Sequence, residues 1–234
     1  MKKILKVFTI YEWLFVIACY LTIIILAIIN KSNAFEIIST LLGITAATLN
    51  VKKAKSCFFF YALFALSYGA ISFINTQYGE GILNIFYNLP LYCFTIWNLF
   101  FNKKKQETSD KIAVLDKKGW IITIVIIPVV TVAYGFILKS ISSALPFFNA
   151  MATSFSVIAS FLASRRIKQQ WFFWSGYSIV SVYIWLNNFI ETKNSGLLYL
   201  VLNCIYIVIN IVGWYTWHKL YKKQIEVTNE NSTN

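Results

Sequence analysis

The sequence predicts an all-α integral membrane protein of eight transmembrane helices. They form two parallel three-helix repeats around a linking helix (3+1+3), with one further helix at the N-terminal periphery. Three observations support this. The chain of 234 residues is 58% hydrophobic and only 13% charged, about half the charged share of a soluble domain. Its apolar residues come in runs of about 20, enough to cross a hydrocarbon core of about 30 Å. Its basic residues recur in alternate connections, and its two halves echo each other.

The spans follow in order. Span 1 (residues 11–29) comes after the basic start Met1-Lys-Lys-Ile-Leu-Lys6; no small-residue cleavage site occurs before Asn30, so the run reads as a retained span. Spans 2, 3 and 4 cover 35–50, 57–75 and 81–101. The polar stretch 102–118 is the longest connection. Spans 5 to 8 cover 120–138, 145–163, 171–190 and 196–217, and the polar tail 218–234 is expected to be disordered. The whole is one membrane domain: 1–34 the peripheral helix, 35–101 the first repeat, 102–143 linker and linking helix, 144–217 the second repeat, 218–234 a cytoplasmic tail.

The charges test this count. With the N-terminus inside, the inner segments hold Lys2, Lys3 and Lys6; Lys52, Lys53 and Lys55; Lys103, Lys104, Lys105, Lys111, Lys117 and Lys118; Arg165, Arg166 and Lys168; and Lys219, Lys222 and Lys223. The remaining three of the 21 basic residues, Lys31, Lys139 and Lys193, fall one each in outer loops. Seven or nine spans break that alternation, which is the positive-inside pattern of a plasma-membrane protein with both termini cytoplasmic. The same placement accounts for the net charge of +12 without a nucleic-acid partner. Lipid is the surrounding medium.

The repeat shows in the span ends. Val51-Lys-Lys-Ala-Lys55 matches Ser164-Arg-Arg-Ile-Lys168. Each precedes an aromatic opening, Cys57-Phe-Phe-Phe60 and Trp171-Phe-Phe-Trp174. Spans 4 and 8 end in Cys93-Phe-Thr-Ile-Trp97 and Gly213-Trp-Tyr-Thr-Trp217. Four crossings separate equivalent helices, so the halves run the same way. Such repeats build transporters with the solute between the halves.

Polar side chains within spans mark the candidate site. In span 7, Trp171, Trp174, Ser178, Ser181 and Trp185 share one helical face, suited either to stacking a ring and bonding its polar edge or to a packing seam with a Trp at each interface. Span 4 offers Asn84, Asn88 and Thr95 with Tyr92 beside them, and span 8 offers Asn203, Tyr206 and Asn210. Amides present donors and an acceptor to a carboxamide or to sugar hydroxyls; bonding between helices is the alternative. Glu12, Glu36, Glu80 and Glu191 lie near span ends, where a solvated interfacial role is expected, so no ionisable group is expected deep in a span. Without buried carboxylates, a phosphate-binding glycine loop or a histidine cluster, proton coupling, ATP use, metal binding and hydrolytic catalysis lack their residues. No cofactor and no enzymatic activity are expected; passive movement of a small solute is the simplest mechanism left. The four cysteines, Cys19, Cys57, Cys93 and Cys204, are scattered and suggest no pairing.

Leu145-Pro-Phe-Phe-Asn-Ala150, Ser156-Val-Ile-Ala159, Arg165-Arg166 and Trp171-x-x-Trp174 follow one another in the second half. Glu36-Ile-Ile-Ser-Thr-Leu-Leu-Gly43 and Tyr92-Cys-Phe-Thr-Ile-Trp97 stand in the first. In this order they resemble the PnuC family of transporters for nicotinamide riboside and related vitamins, over residues 36–217. Where the family carries Asn after WxxW, Ser178 stands here; Asn149 stands for a family Asp, and Tyr92-Cys93-Phe94 for a Tyr-Gly-Trp. The resemblance implies a SWEET-like 3+1+3 fold, homotrimers, and facilitated diffusion of a vitamin-like nucleoside, with a cytoplasmic kinase trapping the product. Thiamine and deoxynucleosides are also cargo in the family. The expected substrate-binding residues are Trp171 and Trp174 for stacking or gating, and Ser178, Asn88, Asn203 and Asn210 for hydrogen bonds, with Tyr92 and Tyr206 as further donors. A competing expectation is the substrate-binding membrane subunit of an ATP-driven vitamin importer, which a 3+3 repeat argues against and copurification with an ATPase would favour.

Overall fold

The computed structural model describes residues 8–102, 111–192 and 196–233. Lys2, Lys3, Lys6, Lys103, Lys104, Lys105 and Lys193 of the charge pattern lie outside the described residues. The chain runs through helices α1 (Ile10–Ile29), α2 (Ala34–Val51), α3 (Cys57–Ile74) and α4 (Tyr78–Ile82). A π-helical segment, Leu83–Asn88, leads directly into α5 (Leu89–Phe101). Then come α6 (Lys117–Ser140), α7 (Pro146–Ser164), α8 (Gln170–Thr192) and α9 (Leu197–Thr233). Among the described residues there is no β-strand, only a single bridge between Ala113 and Ile167. In hydrocarbon the backbone must satisfy itself, and continuous helices do so.

Local chemistry sets the helix starts. Thr9 and Glu12 form a reciprocal capping box on α1. Asn33 accepts from the Glu36 amide at 2.8 Å to open α2, and Asp116 accepts from the Gly119 amide at 2.8 Å to open α6. Pro146 occupies the first turn of α7, where its missing N–H leaves nothing unpaired.

Among the described residues, six helices are long and apolar enough to cross a membrane: α1, α2, α3, α6, α7 and α9. The remaining crossings expected from sequence fall on 78–101, broken into α4, the π segment and α5, and on α8. The latter is 23 residues long but dilutes its apolar surface with Ser, Tyr, Asn and Gln.

Helices α1 and α6 are the outer ones. α1 buries only Val16, Cys19, Ile23 and Ala27, one stripe turned toward α2 and α9. α6 buries only Thr123, Gly135 and Leu138 and packs on α7. The remaining helices meet in the interior. There Trp185 Nε1 donates to the Tyr68 hydroxyl at 2.8 Å, and both rings pack against Tyr199.

The chain leaves α1, α2, α3, α6 and α7 by the same turn, with Lys31, Lys53, Thr76, Ser142 and Arg166 at its left-handed position. Lys53 and Arg166 both take left-handed backbone angles, φ 58° and 56°. Lys53 N bonds to Asn50 O and Ala54 N to Leu49 O, just as Arg166 N bonds to Ala163 O and Ile167 N to Leu162 O. Both residues carry a Cβ into a region that favours glycine, and both turns lead directly into an aromatic helix start.

The tail differs from expectation. From His218 it continues α9 as helix to Thr233 instead of being disordered. Its Lys, Gln and Glu are good helix formers and no Pro or Gly interrupts it. It is also held: Gln224 accepts from the Ile112 amide at 2.8 Å and donates to its carbonyl at 3.1 Å. Ala113 bonds in turn to the Arg166 carbonyl and the Lys168 amide. The described end of the long connection is thereby strapped to the base of α8 and α9.

Candidate functional site

A small enclosed cavity lies between Ala47 of α2, Tyr61 and Phe64 of α3, Asn84 and Asn88 of the π segment and Tyr92 of α5. Its other wall is Ser156 of α7, Trp174, Tyr177 and Ser178 of α8, and Tyr206 and Asn210 of α9. Helices α2, α3, α5, α7, α8 and α9 and the π segment contribute; the outer α1 and α6 and the short α4 do not. The free space is about 30 Å³ at the centres of water-sized spheres. One water needs about 10–15 Å³ on that measure, and sites for drug-sized ligands run to about 300–1,000 Å³. The space is therefore of the size of a few waters and too small for a ring-bearing molecule.

The walls are aromatic. The Tyr61 and Trp174 rings face each other, 6.3 Å apart and 11° from parallel. Tyr92 stacks on Tyr61 at 5.2 Å and 24°. Tyr177 meets Trp174 edge-on, and Tyr206 meets Phe64 edge-on.

The π segment supplies the polar wall. Leu89 N–H bonds back to Asn84 O, five residues earlier, the bond of a π turn. Asn84 and Asn88, four apart, lie on one helix face and form a ladder. Asn88 Nδ2 donates to Asn84 Oδ1 at 3.1 Å and to Ser156 Oγ at 3.5 Å. Asn84 Nδ2 donates to the Glu80 carbonyl at 2.9 Å and its carboxyl at 3.5 Å. On the opposite wall Asn210 Nδ2 donates to Ser178 Oγ at 3.2 Å, and Ser178 to the Trp174 carbonyl at 2.9 Å.

Three polar atoms on lining residues are buried without a partner: Asn88 Oδ1, Trp174 Nε1 and the Tyr206 hydroxyl. An unmet polar group in an interior costs about 1–3 kcal/mol. An acceptor, a donor and a hydroxyl that serves as either are thus held ready around one aromatic space.

Of the residues expected from sequence, the cavity brings together Asn88, Tyr92, Trp174, Ser178, Tyr206 and Asn210. Trp171 and Asn203 lie apart from it. Trp171 is buried edge-on against Trp217 at 5.9 Å, with Gly213 so close that a Cβ there would sit 2.6 Å from its ring. Asn203 donates to the Tyr199 carbonyl of its own helix at 2.8 Å. The stripe on α8 is divided among neighbours: Trp171 toward α9, Trp174 and Ser178 to the cavity, Ser181 to Glu80, and Trp185 to Tyr68 of α3.

Glu80 corrects the sequence reading. Expected at a solvated span end, it is fully buried. The turn before it is itself interior, with Gln77 buried and bonded to Asn149 at 2.7 Å, so α4 starts inside the bundle and aims the carboxyl at the middle of α8. There Tyr177 donates to it at 3.1 Å and Ser181 at 3.4 Å.

Tyr61, Phe64 and Tyr177 were missed as well. The basic turns align at an offset of 113 and the aromatic openings at 114, so the repeat pointed to the start of span 3 as the counterpart of Trp174 without choosing between Phe60 and Tyr61, and it gave no signal for Phe64 or Tyr177.

A bundle of membrane-length helices closing around an aromatic, amide-lined cavity is the architecture of a membrane transport protein. Residues 33–219 match the family described as Nicotinamide mononucleotide transporter. The chain belongs to that family. It is similar to the nicotinamide riboside transporter PnuC of Haemophilus influenzae, 27% identical over 188 residues, which cover 80% of each chain. It is also similar to the protein of that name from Neisseria mucosa, 23% identical over 201 residues, 84% of this chain and 76% of the relative. Its fold matches the crystal structure of the vitamin B3 transporter PnuC with a TM-score of 0.79 at 20% identity, covering 92% of this chain and 94% of the other.

Proposed function

We propose that this protein is a plasma-membrane permease that carries nicotinamide riboside, unchanged, by facilitated diffusion. The observation that carries the reading is the set of unpaired buried atoms, Asn88 Oδ1, Trp174 Nε1 and Tyr206 OH, around one aromatic space. A carboxamide-bearing ring with a sugar offers the complementary donors, acceptors and flat faces, and the family and its curated relatives transport such solutes by name. Trp174 and Tyr61 stack the ring; Asn88, Asn210, Ser178, Tyr92 and Tyr206 bond carboxamide and ribose; Trp171 and Asn203 hold the helices behind them. Phosphorylation by a cytoplasmic kinase adds a charge that keeps the product inside. The working assembly is a homotrimer.

The fold proposed is eight crossings in a 3+1+3 order with both ends cytoplasmic: α2, α3 and the 78–101 helix against α7, α8 and α9, linked by α6, with α1 outside. The shared order of basic turn and aromatic opening after α2 and α7, Val51–Lys55 then Cys57–Phe60 and Ser164–Lys168 then Trp171–Trp174, supports it. In a cysteine-free background, a membrane-impermeant maleimide should label Ser32→Cys in intact cells and Lys53→Cys only after permeabilisation; the reverse result overturns the orientation. For the function, purified protein in liposomes should equilibrate nicotinamide riboside saturably without any ion gradient, stopping at the outside concentration. Accumulation only with a gradient would refute facilitated diffusion, and no uptake under either condition would refute the substrate.

A further inference from the structure

We propose that Glu80 is the counter-charge for a cationic ring in the cavity, so that this site selects N-substituted pyridinium-type solutes over neutral rings of the same shape. This deepens, and rests on, the substrate reading above.

Glu80 is fully buried in the bundle. Its carboxyl receives the Tyr177 hydroxyl at 3.1 Å, the Ser181 hydroxyl at 3.4 Å and Asn84 Nδ2 at 3.5 Å. Asn84 Nδ2 can only donate, and the two hydroxyls can donate as well, so three donors converge on the carboxyl. Yet among the described residues no Lys, Arg or His pairs with Glu80, and none lines the cavity. A buried charge without a counter-charge is destabilising, and ionisable groups at such depth in a membrane mark solute pathways.

The carboxyl is one side chain behind the cavity wall, because Tyr177 and Asn84 both line the cavity and both hold Glu80. The missing positive charge therefore fits in the cavity itself. The walls agree independently: Tyr61, Tyr92, Trp174, Tyr177 and Tyr206 line the space, and the faces of such rings carry the negative end of the π quadrupole, which holds organic cations. A quaternary ring nitrogen carries its charge at any pH and forms no hydrogen bond, so a cage of π-faces with a carboxylate set back behind it suits that cation better than direct contact does.

The test uses two solutes that differ by one hydride: nicotinamide riboside, whose ring is a cation, and its 1,4-dihydro form, whose ring is neutral. A unit charge about 8 Å away, at an effective dielectric of about 20, alters affinity by about thirtyfold. Titration calorimetry on the full-length purified protein should show the cation bound about thirtyfold more tightly than the dihydro form. Glu80→Gln should erase most of that ratio while leaving the dihydro form bound within about threefold of its original affinity, and Glu80→Asp should retain the ratio. Equal binding of both forms by the unaltered protein overturns the proposal without any variant. So does a Glu80→Gln protein that keeps the ratio or loses both forms alike. Unaltered protein that binds neither form refutes the substrate reading and takes this proposal with it.

Discussion

The two tryptophans of the WxxW element should fail in different ways when removed. Trp174 is half-buried and faces Tyr61 across the cavity, 6.3 Å away and 11° from parallel. Trp171, one turn earlier, is 1% exposed and wedged between Trp217 and Gly213. In Trp174→Ala the solute loses one stacking face. Stacking of a base on an aromatic ring is worth about 1–3 kcal/mol, so affinity should fall about 5- to 150-fold while the fold survives. Trp174→Phe keeps a face but loses the unpaired Nε1 donor, worth about 1 kcal/mol or about fivefold. In Trp171→Ala a buried indole leaves a cavity, and such truncations destabilise by about 3–5 kcal/mol. Calorimetry with nicotinamide riboside reads the affinities, and thermal unfolding of the purified protein reads stability. A Trp174→Ala protein with unaltered affinity, or a Trp171→Ala protein as stable as the parent with weakened binding, would refute this division of roles.

Further outcomes follow from the same geometry. Asn88→Ala removes an unpaired acceptor from the cavity and should weaken binding by about 5- to 30-fold, at about 1–2 kcal/mol for the lost bond; Asn203→Ala, whose amide serves its own helix, should stay within about twofold in the same titration. Gly213→Ala places a Cβ 2.6 Å from the Trp171 ring, which Trp217 prevents from yielding, and overpacking of this kind destabilises by about 1–3 kcal/mol; a lower thermal midpoint checks it. Gln224→Ala frees both polar groups of Ile112 and should speed exchange of that amide about 2- to 10-fold, at about 0.5–1.5 kcal/mol for the bond, read by hydrogen–deuterium exchange.

The membrane class and six of the residues that line the cavity were legible in the chain. Each rests on a local quantity: the length of an apolar run, or amides and aromatics inside hydrocarbon. Helical periodicity placed Asn88 and Tyr92 near each other, and Tyr206 near Asn210, because neighbours on one helix face stay neighbours after packing. It placed Trp171 and Trp185 on that face too, but a face about 80° wide touches more than one neighbour, and only packing divided it among α9, the cavity and α3.

Glu80 shows the sharper limit. Hydropathy gave it a position at a span end, which for a straight helix beginning at the surface means solvent. The tertiary structure decided otherwise: the Gln77–Asn149 bond draws the turn inward, and the helix face after it carries the ladder Glu80–Asn84–Asn88. The sequence by itself determined the six described helices that are long and apolar enough to cross a membrane, because transfer into hydrocarbon is close to additive along a helix. What closes around a solute depends on helix rotation and on bonds between residues as distant as Glu80 and Tyr177. Those depend on which surfaces meet, and only the tertiary structure decided them.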